Sequence, residues 1–431
     1  MNRTHFTNEL TKSVGKEVVV TGWCYDVRRL GGISFLLLRD REGLVQITAH
    51  KDKAPASMTK IFEKLHQEDV IGVRGKVVKS TKTKSGVEII PSEIVIINKS
   101  QTPLPLDPRE VTKANLDTQL DWRFLYFRTK EAKAIFKIQT TILKAFRNFF
   151  LDRGYMEMQA PVIISSASEG GAELFTLPYF EKQAFLAQSP QLYKQMGAIS
   201  FEKVFVVVPV FRAEKFDQPT HLNEIRQMDI EQAFATDEDV MKILEEVFLH
   251  ILKQVNDDCK EELEVLGREL KIPKLPLKRI TYTNAIDMLK KGGEKIGWGD
   301  DFSKTQERLL TKSVGEHTFF IKDWPTAIKP FYAFPYEDNP KICRAFDLIY
   351  DGVEVCSGTQ RMHIPELLVK QLKAKGMNPD NFKYYVDAFK YGSPFHSGWS
   401  IGLERLTMEI TGRSNIKEVT MFPRDRNRIT P

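Results

Sequence analysis

The chain has 431 residues, with 63 Lys and Arg against 57 Asp and Glu, and therefore a formal net charge of +6. Hydrophobic residues make up 42% and charged residues 28%, proportions typical of a globular protein of about two or three domains. No apolar run reaches the ~18 residues of a membrane span, and the N-terminus lacks the apolar core of a signal peptide. Four widely spaced cysteines without a Cys-x-x-Cys pair argue against a zinc knuckle and favour a reducing cytoplasm.

The excess positive charge is confined to the first quarter of the chain. Residues 1–100 contain 17 basic and 11 acidic side chains, a net of +6, whereas the remaining 331 residues contain 46 of each. Such asymmetry is typical of contact with nucleic acid or a membrane surface, although an ordinary solvated surface would give the same count.

The first hundred residues predict a small β-barrel. Alternating apolar patterns indicate strands at 17–23, 33–40, 44–48, 70–77 and 87–97, with a helix at 55–66 after the third strand. This order is typical of the OB fold, whose second and third strands bind oligonucleotides.

Aromatic, basic and polar side chains interleave on the expected binding face of this barrel. Bases stack on aromatic rings and cations follow phosphates in such barrels, so we expect an RNA contact at Tyr25, Arg28, Phe35 and Gln46. We expect Trp23 to fill the barrel interior instead. For Phe35 both the interior and the exposed face stay open, because a Gly-Gly turn precedes its strand.

A proline-rich stretch at 102–108 predicts a linker. The expected domains are therefore 1–100, a linker at 101–130, and 131–431. The last domain begins with an amphipathic helix at 131–153, which ends at Gly154, and continues with strands and helices in irregular order. The pattern predicts an α+β fold, and without a Gly-x-x-x-x-Gly-Lys loop any nucleotide would bind by other means.

Three clusters in this second domain indicate chemistry. The first, 154–161, is a strand that follows the long helix and stops at a proline. In the second, an apolar strand delivers Arg212 and Glu214 before His221 and a returning strand at 228–234. In the third, 398–405, small residues alternate before Arg405 and a helix, and we expect them to let a flat ligand ring lie against the strand. A helix start already favours anions, so Arg405 suits a phosphate.

Together these clusters resemble motifs 1, 2 and 3 of the class II aminoacyl-tRNA synthetases. The resemblance implies an N-terminal OB-fold barrel that reads the anticodon and a catalytic domain with an antiparallel sheet flanked by helices. It also implies ATP as a substrate and a homodimer formed through motif 1. Ser400 departs from the pattern, because it stands where the family has the middle glycine of motif 3, and we expect a minor change in the ATP site.

Nearly the whole chain is similar to aspartyl enzymes of the archaeal and eukaryotic cytosolic type, which lack the large insertion of bacterial aspartyl enzymes. Aspartate requires cations for its side-chain carboxylate and acidic groups for its ammonium. Lys194 and Arg361 suit the carboxylate, and asparagine would leave two buried cations unpaired. Glu169, in a glycine-rich loop that resembles the family's mobile loop, would hold the ammonium.

The resemblance also assigns the remaining site residues. The expected aspartate contacts are Glu169, Gln191, Lys194, Arg212, Ser357 and Arg361. The expected ATP contacts are Arg212, Ala213, Glu214, Thr220, His221, Leu222, Glu354, Gly402, Leu403, Glu404 and Arg405. The oxygen ligands expected for Mg²⁺ are Asp347, Glu354 and Ser357. Arg212, Glu214 and Arg405 are the expected catalytic residues, which form aspartyl-adenylate by positioning and charge neutralisation before its transfer to the 3′ end of tRNA(Asp).

The tRNA partner stays open between tRNA(Asp) alone and tRNA(Asp) together with tRNA(Asn). Lys84 resembles the strict enzymes, whereas Tyr25 matches neither type. Three alternative functions also remain: an asparaginyl-tRNA synthetase, a tRNA-independent aspartate ligase, and an RNA-binding protein without activity. Lys194 argues against the first, the basic barrel against the second, and the arginines of motifs 2 and 3 against the third.

Overall fold

The protein is described by a computed structural model that covers residues 1–50, 52, 56–166, 174–215 and 217–431, without the side chains of 56, 57 and 59. The chain divides into two compact units, Met1–Lys113 and Ala114–Pro431. The stretch expected to be a linker, 101–130, contains two short helices, α2 (Leu116–Asp121) and α3 (Arg123–Tyr126).

The first unit is a closed β-barrel, which confirms the predicted architecture. Its elements are β1 (Glu17–Leu30), β2 (Ile33–Arg39), β3 (Leu44–His50), α1 (Ala56–Lys64), β4 (Val70–Lys79) and β5 (Val87–Asn98). The strands pair in the order β1-β2-β3-β5-β4 around the barrel. β1 is longer than predicted, because it continues past an irregularity in register between Cys24 and Asp26 and pairs with β2 up to the Gly-Gly turn.

The barrel core explains why the prediction for Trp23 was wrong. Val18, Val20 and Cys24 point inward and pack with Leu36 and Leu38. Successive side chains of a strand point to opposite faces, so Trp23 lies on the outer face of β1, where it is half-buried.

Within the described residues, the second unit contains most of the helices and two β-sheets. Its helices after α3 are α4 (Lys130–Leu151), α5 (Gln191–Phe201), α6 (Asp237–Asp258), α7 (Lys260–Val265), α8 (Tyr282–Lys291), α9 (Lys304–Val314), α10 (Pro365–Ala374), α11 (Lys383–Lys390) and α12 (Leu403–Thr411). Its strands are β6 (Met156–Glu157), β7 (Ile163–Ile164), β8 (Thr176–Tyr179), β9 (Lys182–Leu186), β10 (Lys203–Phe211), β11 (Glu224–Ala233), β12 (Lys278–Thr281), β13 (Thr318–Pro325), β14 (Ile342–Tyr350), β15 (Val353–Gln360) and β16 (His396–Gly402).

The larger sheet has the order β12-β13-β14-β15-β16-β11-β10-β6 in the described part of the chain. Its central strands, from β13 to β10, pair antiparallel, as expected. The outermost pairs differ, because β6 runs parallel to β10 and β12 parallel to β13. The fold is therefore α+β with a mixed sheet.

The long helix α4 packs against this sheet through the apolar side that its spacing predicts. Thr129 caps its first turn by accepting a hydrogen bond from the amide of Ala132. Ile135, Ile138, Ile142 and Phe146 are fully buried along one side. No helix of the described residues is long and apolar enough to cross a membrane, and all four cysteines are buried free thiols.

The strand register gathers polar residues in a row across the middle of the sheet. Asp229 of β11 lies beside Ser400 of β16, and Ser400 lies beside Ser357 of β15. Ser357 in turn lies beside Asp347 of β14. Since polar groups are costly to bury in a sheet without partners or ligands, this row marks the face of the sheet on which a site is built.

Candidate active site

Arg212 is the first residue after β10, where the strand leaves the sheet. Its amide donates to the carbonyl of Asn223 over 2.9 Å, and the Asn223 side chain donates to the carbonyls of Arg212 and Glu214 over 2.7 and 3.0 Å. These bonds fix the backbone from which Arg212 extends. Its Nε is buried without a hydrogen-bond partner among the described residues, which is unusual unless a ligand completes the site.

Arg405 lies in the first turn of α12, directly after β16. Its Nη1 is 3.6 Å from a carboxylate oxygen of Glu354. Gly402 caps this helix, and space for a side chain remains open there, since a Cβ would approach atoms of Arg405 no closer than 3.8 Å. Arg405 therefore meets the positive end of a helix at an accessible position, as expected for a phosphate contact.

A first pocket gathers most of the residues predicted to bind ATP. Its lining includes Arg212, Glu214, Thr220, His221, Leu222, Glu354, Gly402, Glu404 and Arg405, together with Gln227, Ser357 and Ser400. Two predicted contacts are absent from the described lining. Leu403 is buried in the core beneath α12, and the half-buried Ala213 follows Arg212 outside this lining.

His221 is a partly buried side chain of this first pocket. Burial and, to a smaller extent, the neighbouring charges of Arg405 and Lys304 lower the pKa of His221 to about 4, against the weaker opposing effect of Glu354. The Thr220 hydroxyl lies 3.0 Å from its Nδ1. His221 is therefore neutral at physiological pH and adds no charge to the pocket.

Glu404 has a structural partner. Its carboxylate accepts hydrogen bonds from the amide of Arg226 over 3.1 and 3.0 Å, which ties the start of α12 to β11. Burial raises the pKa of Glu404 to about 7. Its contribution to the pocket is therefore to hold α12, and with it Arg405, against the sheet.

A second pocket adjoins the first. Its lining includes Ser189, Gln191, Lys194, Asp229, Lys329, Tyr332, Thr359 and Arg361. Arg212, Gln227, Glu354, Ser357 and Ser400 line both pockets. The two pockets therefore meet at Arg212, and the structure brings together the predicted aspartate contacts that fall within the described residues. Glu169 lies outside the described residues.

The cations of the second pocket are paired, contrary to the expectation from the sequence. Lys194 Nζ lies 2.9 Å from Asp229 Oδ2, and Arg361 binds both carboxylate oxygens of Glu231 over 2.9 and 3.1 Å. Asp229 and Glu231 occupy alternate positions of β11, and the prediction missed them both. Their signal was present in the sequence as two acidic residues within an apolar strand.

These pairs correct the predicted basis of selectivity. An asparagine ligand would leave neither cation wholly unpaired, since each already has a carboxylate. A guanidinium has five N–H donors, and Glu231 takes two from Arg361. The bonds to Glu231 come from Nε and Nη2 of Arg361, so they leave Nη1 for a ligand carboxylate.

Asp229 offers an acceptor for the amine of a ligand. The residue is 1% exposed, and Oδ1 has no hydrogen-bond partner among the described residues. Burial raises the pKa of Asp229, and the charge of Lys194 opposes this rise. An incoming ammonium would satisfy Oδ1, so the pocket presents both an acceptor for an amine and donors for a carboxylate.

The residues predicted to bind Mg²⁺ lie on the paired strands β14 and β15. Asp347 is buried, its Oδ2 is 2.7 Å from Lys329 Nζ, and its Oδ1 has no hydrogen-bond partner in the described part of the chain. Burial raises the pKa of Asp347 to about 6. Glu354 and Ser357 line both pockets nearby. Carboxylate and hydroxyl oxygens suit Mg²⁺, and Oδ1 of Asp347 is unsatisfied. No cluster of three His, Cys, Asp or Glu side chains that could hold a metal is found among the described residues.

The small residues of β16 act differently from each other. At Gly398 a Cβ would lie 2.2 Å from the carbonyl oxygen of Ile230 and 2.3 Å from the Glu231 carboxylate. The missing side chain there makes room for the Glu231–Arg361 pair. Ser400 and Gly402 do line the pockets.

The first unit carries the residues predicted to contact RNA. Phe35 lies on the outer face of β2, beside Arg28 of β1 and Thr48 of β3, and is half-buried outside the barrel core. Arg28 is exposed and pairs with Asp26 over 3.0 Å. The half-buried ring of Tyr25 has the guanidinium of Arg39 5.7 Å from its centre.

The other two predicted RNA contacts have different surroundings. Gln46 donates to Glu88 over 3.0 Å, so an acidic residue lies on this face. Lys84 is exposed in the turn between β4 and β5. The structure therefore places Phe35 and Gln46 on adjacent strands and Lys84 in a loop.

Comparison with known proteins agrees with this geometry. Residues 115–426 match the family described as tRNA synthetases class II (D, K and N), and residues 18–97 match the OB-fold nucleic acid binding domain. The chain is 47% identical over 431 residues to the aspartate–tRNA(Asp/Asn) ligase of Methanocaldococcus jannaschii, covering 100% of this chain and 98% of that protein. It is also 47% identical over 438 residues to the aspartate–tRNA(Asp) ligase of Thermococcus kodakarensis, with both chains fully covered.

Solved structures show the same architecture. The asparaginyl-tRNA synthetase of Pyrococcus horikoshii, complexed with asparaginyl-adenylate, superimposes with a TM-score of 0.95 at 32% identity, covering 100% of both chains. A putative aspartyl-tRNA synthetase from Leishmania major superimposes with a TM-score of 0.87 at 30% identity, covering 100% of this chain and 96% of the other. The chain therefore belongs to the class II aminoacyl-tRNA synthetases of the D, K and N group, with an OB-fold nucleic-acid-binding domain at its N-terminal end.

Proposed function

We propose that this enzyme is an aspartate–tRNA ligase, which activates L-aspartate with ATP and transfers it to the 3′ end of tRNA(Asp). The observation that carries this proposal is the position of Arg212, whose unsatisfied Nε lies where a cation-lined pocket meets a pocket with both amine and carboxylate partners. The full-length similarity to aspartate–tRNA ligases supports the choice of amino acid.

In the first step, an oxygen of the aspartate α-carboxylate attacks the α-phosphorus of ATP. A new P–O bond forms, the bond from that phosphorus to the β-phosphate oxygen breaks, and pyrophosphate leaves with the bonding electrons. Arg212 neutralises charge between the two reactants, and Arg405 neutralises phosphate charge from the start of α12. Positioning and electrostatic stabilisation supply the rate enhancement, since no protein nucleophile is required.

The second pocket holds the amino acid during this step. Nη1 of Arg361, together with Lys194, binds the side-chain carboxylate, and Oδ1 of Asp229 accepts from the ammonium. The remaining proposed aspartate contacts are Gln191, Ser357 and Glu169. Both cations require an acceptor, whereas an asparagine side chain has one acceptor oxygen and presents its amide nitrogen, a donor, to the other cation. This mismatched pairing disfavours asparagine.

Mg²⁺ belongs to the proposal as the metal that would neutralise phosphate charge when ATP is bound. Oδ1 of Asp347, the Glu354 carboxylate and the Ser357 hydroxyl would hold it between the pockets. Lys329, which pairs with Asp347, keeps this carboxylate in place.

In the second step, the terminal adenosine hydroxyl of tRNA attacks the carbonyl carbon of aspartyl-adenylate, and AMP leaves. The barrel would bind the anticodon loop through Phe35 and its neighbours, with Tyr25, Arg28, Gln46 and Lys84 as further contacts. Single-stranded RNA is bound by stacking of splayed bases on aromatic rings, which suits the outward position of Phe35.

Two further parts of the proposal concern assembly and location. We propose a homodimer formed through the predicted motif 1, because Met156 in its strand, Leu151 in the preceding helix and Ile163 just after it are about half exposed. A mass of two chains by light scattering at micromolar concentration is expected, and a single-chain mass would contradict the dimer. The four free cysteines are consistent with a reducing cytoplasm.

The proposed first step is tested by amino-acid-dependent exchange of pyrophosphate into ATP. Aspartate should support exchange and asparagine should not; exchange with asparagine alone would assign the asparaginyl function instead. Arg212→Ala should lower the rate about 100- to 1000-fold, because it removes the charge between the pockets. Arg226→Ala is the matched control, since Arg226 pairs with Glu224 at the surface and does not line either described pocket. Equal loss in both variants would contradict the role of Arg212.

The tRNA partner is tested by charging transcribed tRNAs that carry the aspartate or the asparagine anticodon. Charging of tRNA(Asp) with aspartate is expected. Lys84 leads us to propose the strict form, so tRNA(Asn) should be charged far more slowly. Comparable rates would assign the relaxed form, and failure with both tRNAs would favour the tRNA-independent ligase.

A further inference from the structure

A buried chain of hydrogen bonds runs from the backbone before β16 to the amino acid pocket. His396 Nδ1 lies 2.9 Å from the carbonyl oxygen of Pro394, and His396 Nε2 lies 2.9 Å from Gln195 Nε2. Gln195 Oε1 accepts from Tyr385 Oη over 2.8 Å and from Gln191 Nε2 over 2.9 Å. Gln195, Tyr385 and His396 are 0% exposed, so water does not compete for these bonds.

The chemistry of these groups fixes the direction of every bond. The carbonyl of Pro394 can accept but cannot donate, so the proton of His396 lies on Nδ1. Burial lowers the pKa of His396, and Arg361 acts in the same direction against the opposing charge of Glu231. The imidazole is therefore neutral, and its Nε2 is an acceptor that requires a donor from Gln195.

That requirement sets the orientation of both glutamine amides. With Nε2 of Gln195 directed at His396, Oε1 of Gln195 faces Tyr385 and Gln191 and must receive donors from them. Gln191 then turns its own Nε2 toward Gln195, and its Oε1 is left for the pocket. No hydrogen bond to this oxygen is formed by the described residues, and Gln191 lines the pocket beside Lys194 and Asp229.

We propose that His396 and Gln195 are positioning residues that orient the Gln191 amide so that its Oε1 accepts a hydrogen bond from the α-ammonium of the substrate. The proposal rests on the proposed aspartate activation. If the amide were inverted, its NH₂ group would face the ammonium and repel it. The proline carbonyl, which is remote from the substrate, thus decides which end of Gln191 the substrate meets.

Loss of this orientation of Gln191 should weaken binding of the substrate ammonium and leave binding of the two carboxylates unchanged. Succinate has both carboxylates of aspartate and no ammonium, and it serves as the probe for this distinction. In aspartate-dependent pyrophosphate exchange, the KM for aspartate and the inhibition constant of succinate are measured together. The KM for ATP serves as an internal reference, because the first pocket is not part of the chain of bonds.

His396→Phe is the decisive variant. It keeps the ring that stacks on Phe389 at 5.8 Å and removes both hydrogen bonds of the histidine. We expect the KM for aspartate to rise about tenfold to a hundredfold, the range for one lost hydrogen bond to a charged group. The succinate inhibition constant and the KM for ATP should stay within about twofold. Gln195→Met removes the middle member of the chain of hydrogen bonds and should give the same pattern. It replaces His396→Phe if that variant does not fold.

His363→Phe is the matched control, because His363 also packs on a phenylalanine ring, Phe334 at 5.5 Å, and lies outside the chain of bonds. It should leave all three constants unchanged. An unchanged KM for aspartate in His396→Phe or Gln195→Met, or an equal rise in the succinate constant, would overturn the proposal. Absence of aspartate-dependent exchange in the unaltered enzyme would instead overturn the proposed function. The two failures are therefore distinguishable.

Discussion

At the scale of single residues, the site is defined by which buried charges are satisfied and which are not. Lys194 and Arg361 have carboxylate partners on β11, whereas Nε of Arg212 and Oδ1 of Asp229 have none among the described residues. Buried ion pairs contribute little net stability, but removing one partner is costly because the other charge stays buried. The unsatisfied atoms therefore indicate where a ligand binds, and the satisfied ones indicate what holds the pocket together.

Lys194→Met tests this division. The change leaves Asp229 buried without its closest cation, so we expect the free energy of unfolding to fall by about 3–5 kcal/mol. Asp229→Asn in the same chain removes the uncompensated charge, and the double variant should lose less than the sum of the two single variants. Denaturant titrations of all four proteins measure the coupling, and strict additivity would show that the two residues do not interact.

The depressed pKa of His221 leads to a prediction about proton uptake. His221 titrates at about 4 in the free enzyme because of burial and neighbouring cations. Phosphates bound among those cations would raise this pKa, so the ATP complex should bind more protons than the free enzyme in the range between pH 4 and the ordinary value near 6.5.

Calorimetry of ATP binding in buffers of different ionisation enthalpy measures this uptake. The number of protons taken up is compared between the unaltered enzyme and His221→Gln, because ATP has a titrating phosphate of its own that contributes equally to both. Equal proton uptake by both proteins near pH 5.5 would show that His221 does not take part.

At the scale of elements, the site depends on how β11, β15 and β16 are joined. Gly398 lets β16 approach the Glu231 carboxylate, and the Glu404 carboxylate ties α12 to β11. Both contacts join groups of the protein itself. Both decide where the charged residues of the neighbouring strand and helix are held.

Glu404→Ala should therefore destabilise the protein by leaving the Arg226 amide without its acceptor, at a cost of about 1–3 kcal/mol. Glu404→Gln retains one acceptor oxygen and should lose less. Thermal unfolding of both variants gives the comparison, and equal destabilisation would show that the charge, and not the hydrogen bond, holds α12.

At the scale of the whole molecule, the formal charge of +6 belongs entirely to residues 1–100, and the remaining 331 residues are neutral. The barrel match and the class II match fall on these two parts of the chain. We therefore expect tRNA affinity to depend on salt, with each phosphate contact to a single strand contributing about −0.7 to the slope of log affinity against log salt concentration.

Phe35→Ala tests whether the two parts act separately. Loss of one stacking contact should weaken tRNA binding by about 1–3 kcal/mol and slow charging at low tRNA concentration. Pyrophosphate exchange does not require tRNA and should be unchanged. Tyr391→Ala is the control, an aromatic that is 89% exposed in the second unit. Equal loss of exchange and charging in Phe35→Ala would show that Phe35 supports folding instead.

Local patterns in the sequence were sufficient for the family and for much of the fold. The apolar spacing of 131–153 predicted α4 and its buried side, and alternation predicted the strands of the barrel. The spacing of Arg212, Glu214 and Arg405 from their neighbours predicted the motifs, and the matches to known proteins confirmed the family. The helix and the strands depend on periodicity along the chain, which a sequence displays directly, whereas the family was inferred from the resemblance of the three motifs.

Only the tertiary structure decided the pairing of charges. Lys194 and Asp229 are 35 residues apart, and Arg361 and Glu231 are 130 apart, so their contact depends on strand register and helix position. The outward position of Trp23 and the direction of the bonds from Pro394 to Gln191 likewise depend on contacts between distant segments. The sequence determined that a synthetase fold would form with cations near its substrates, and the packing of strands and helices determined which of those cations have partners before a substrate arrives.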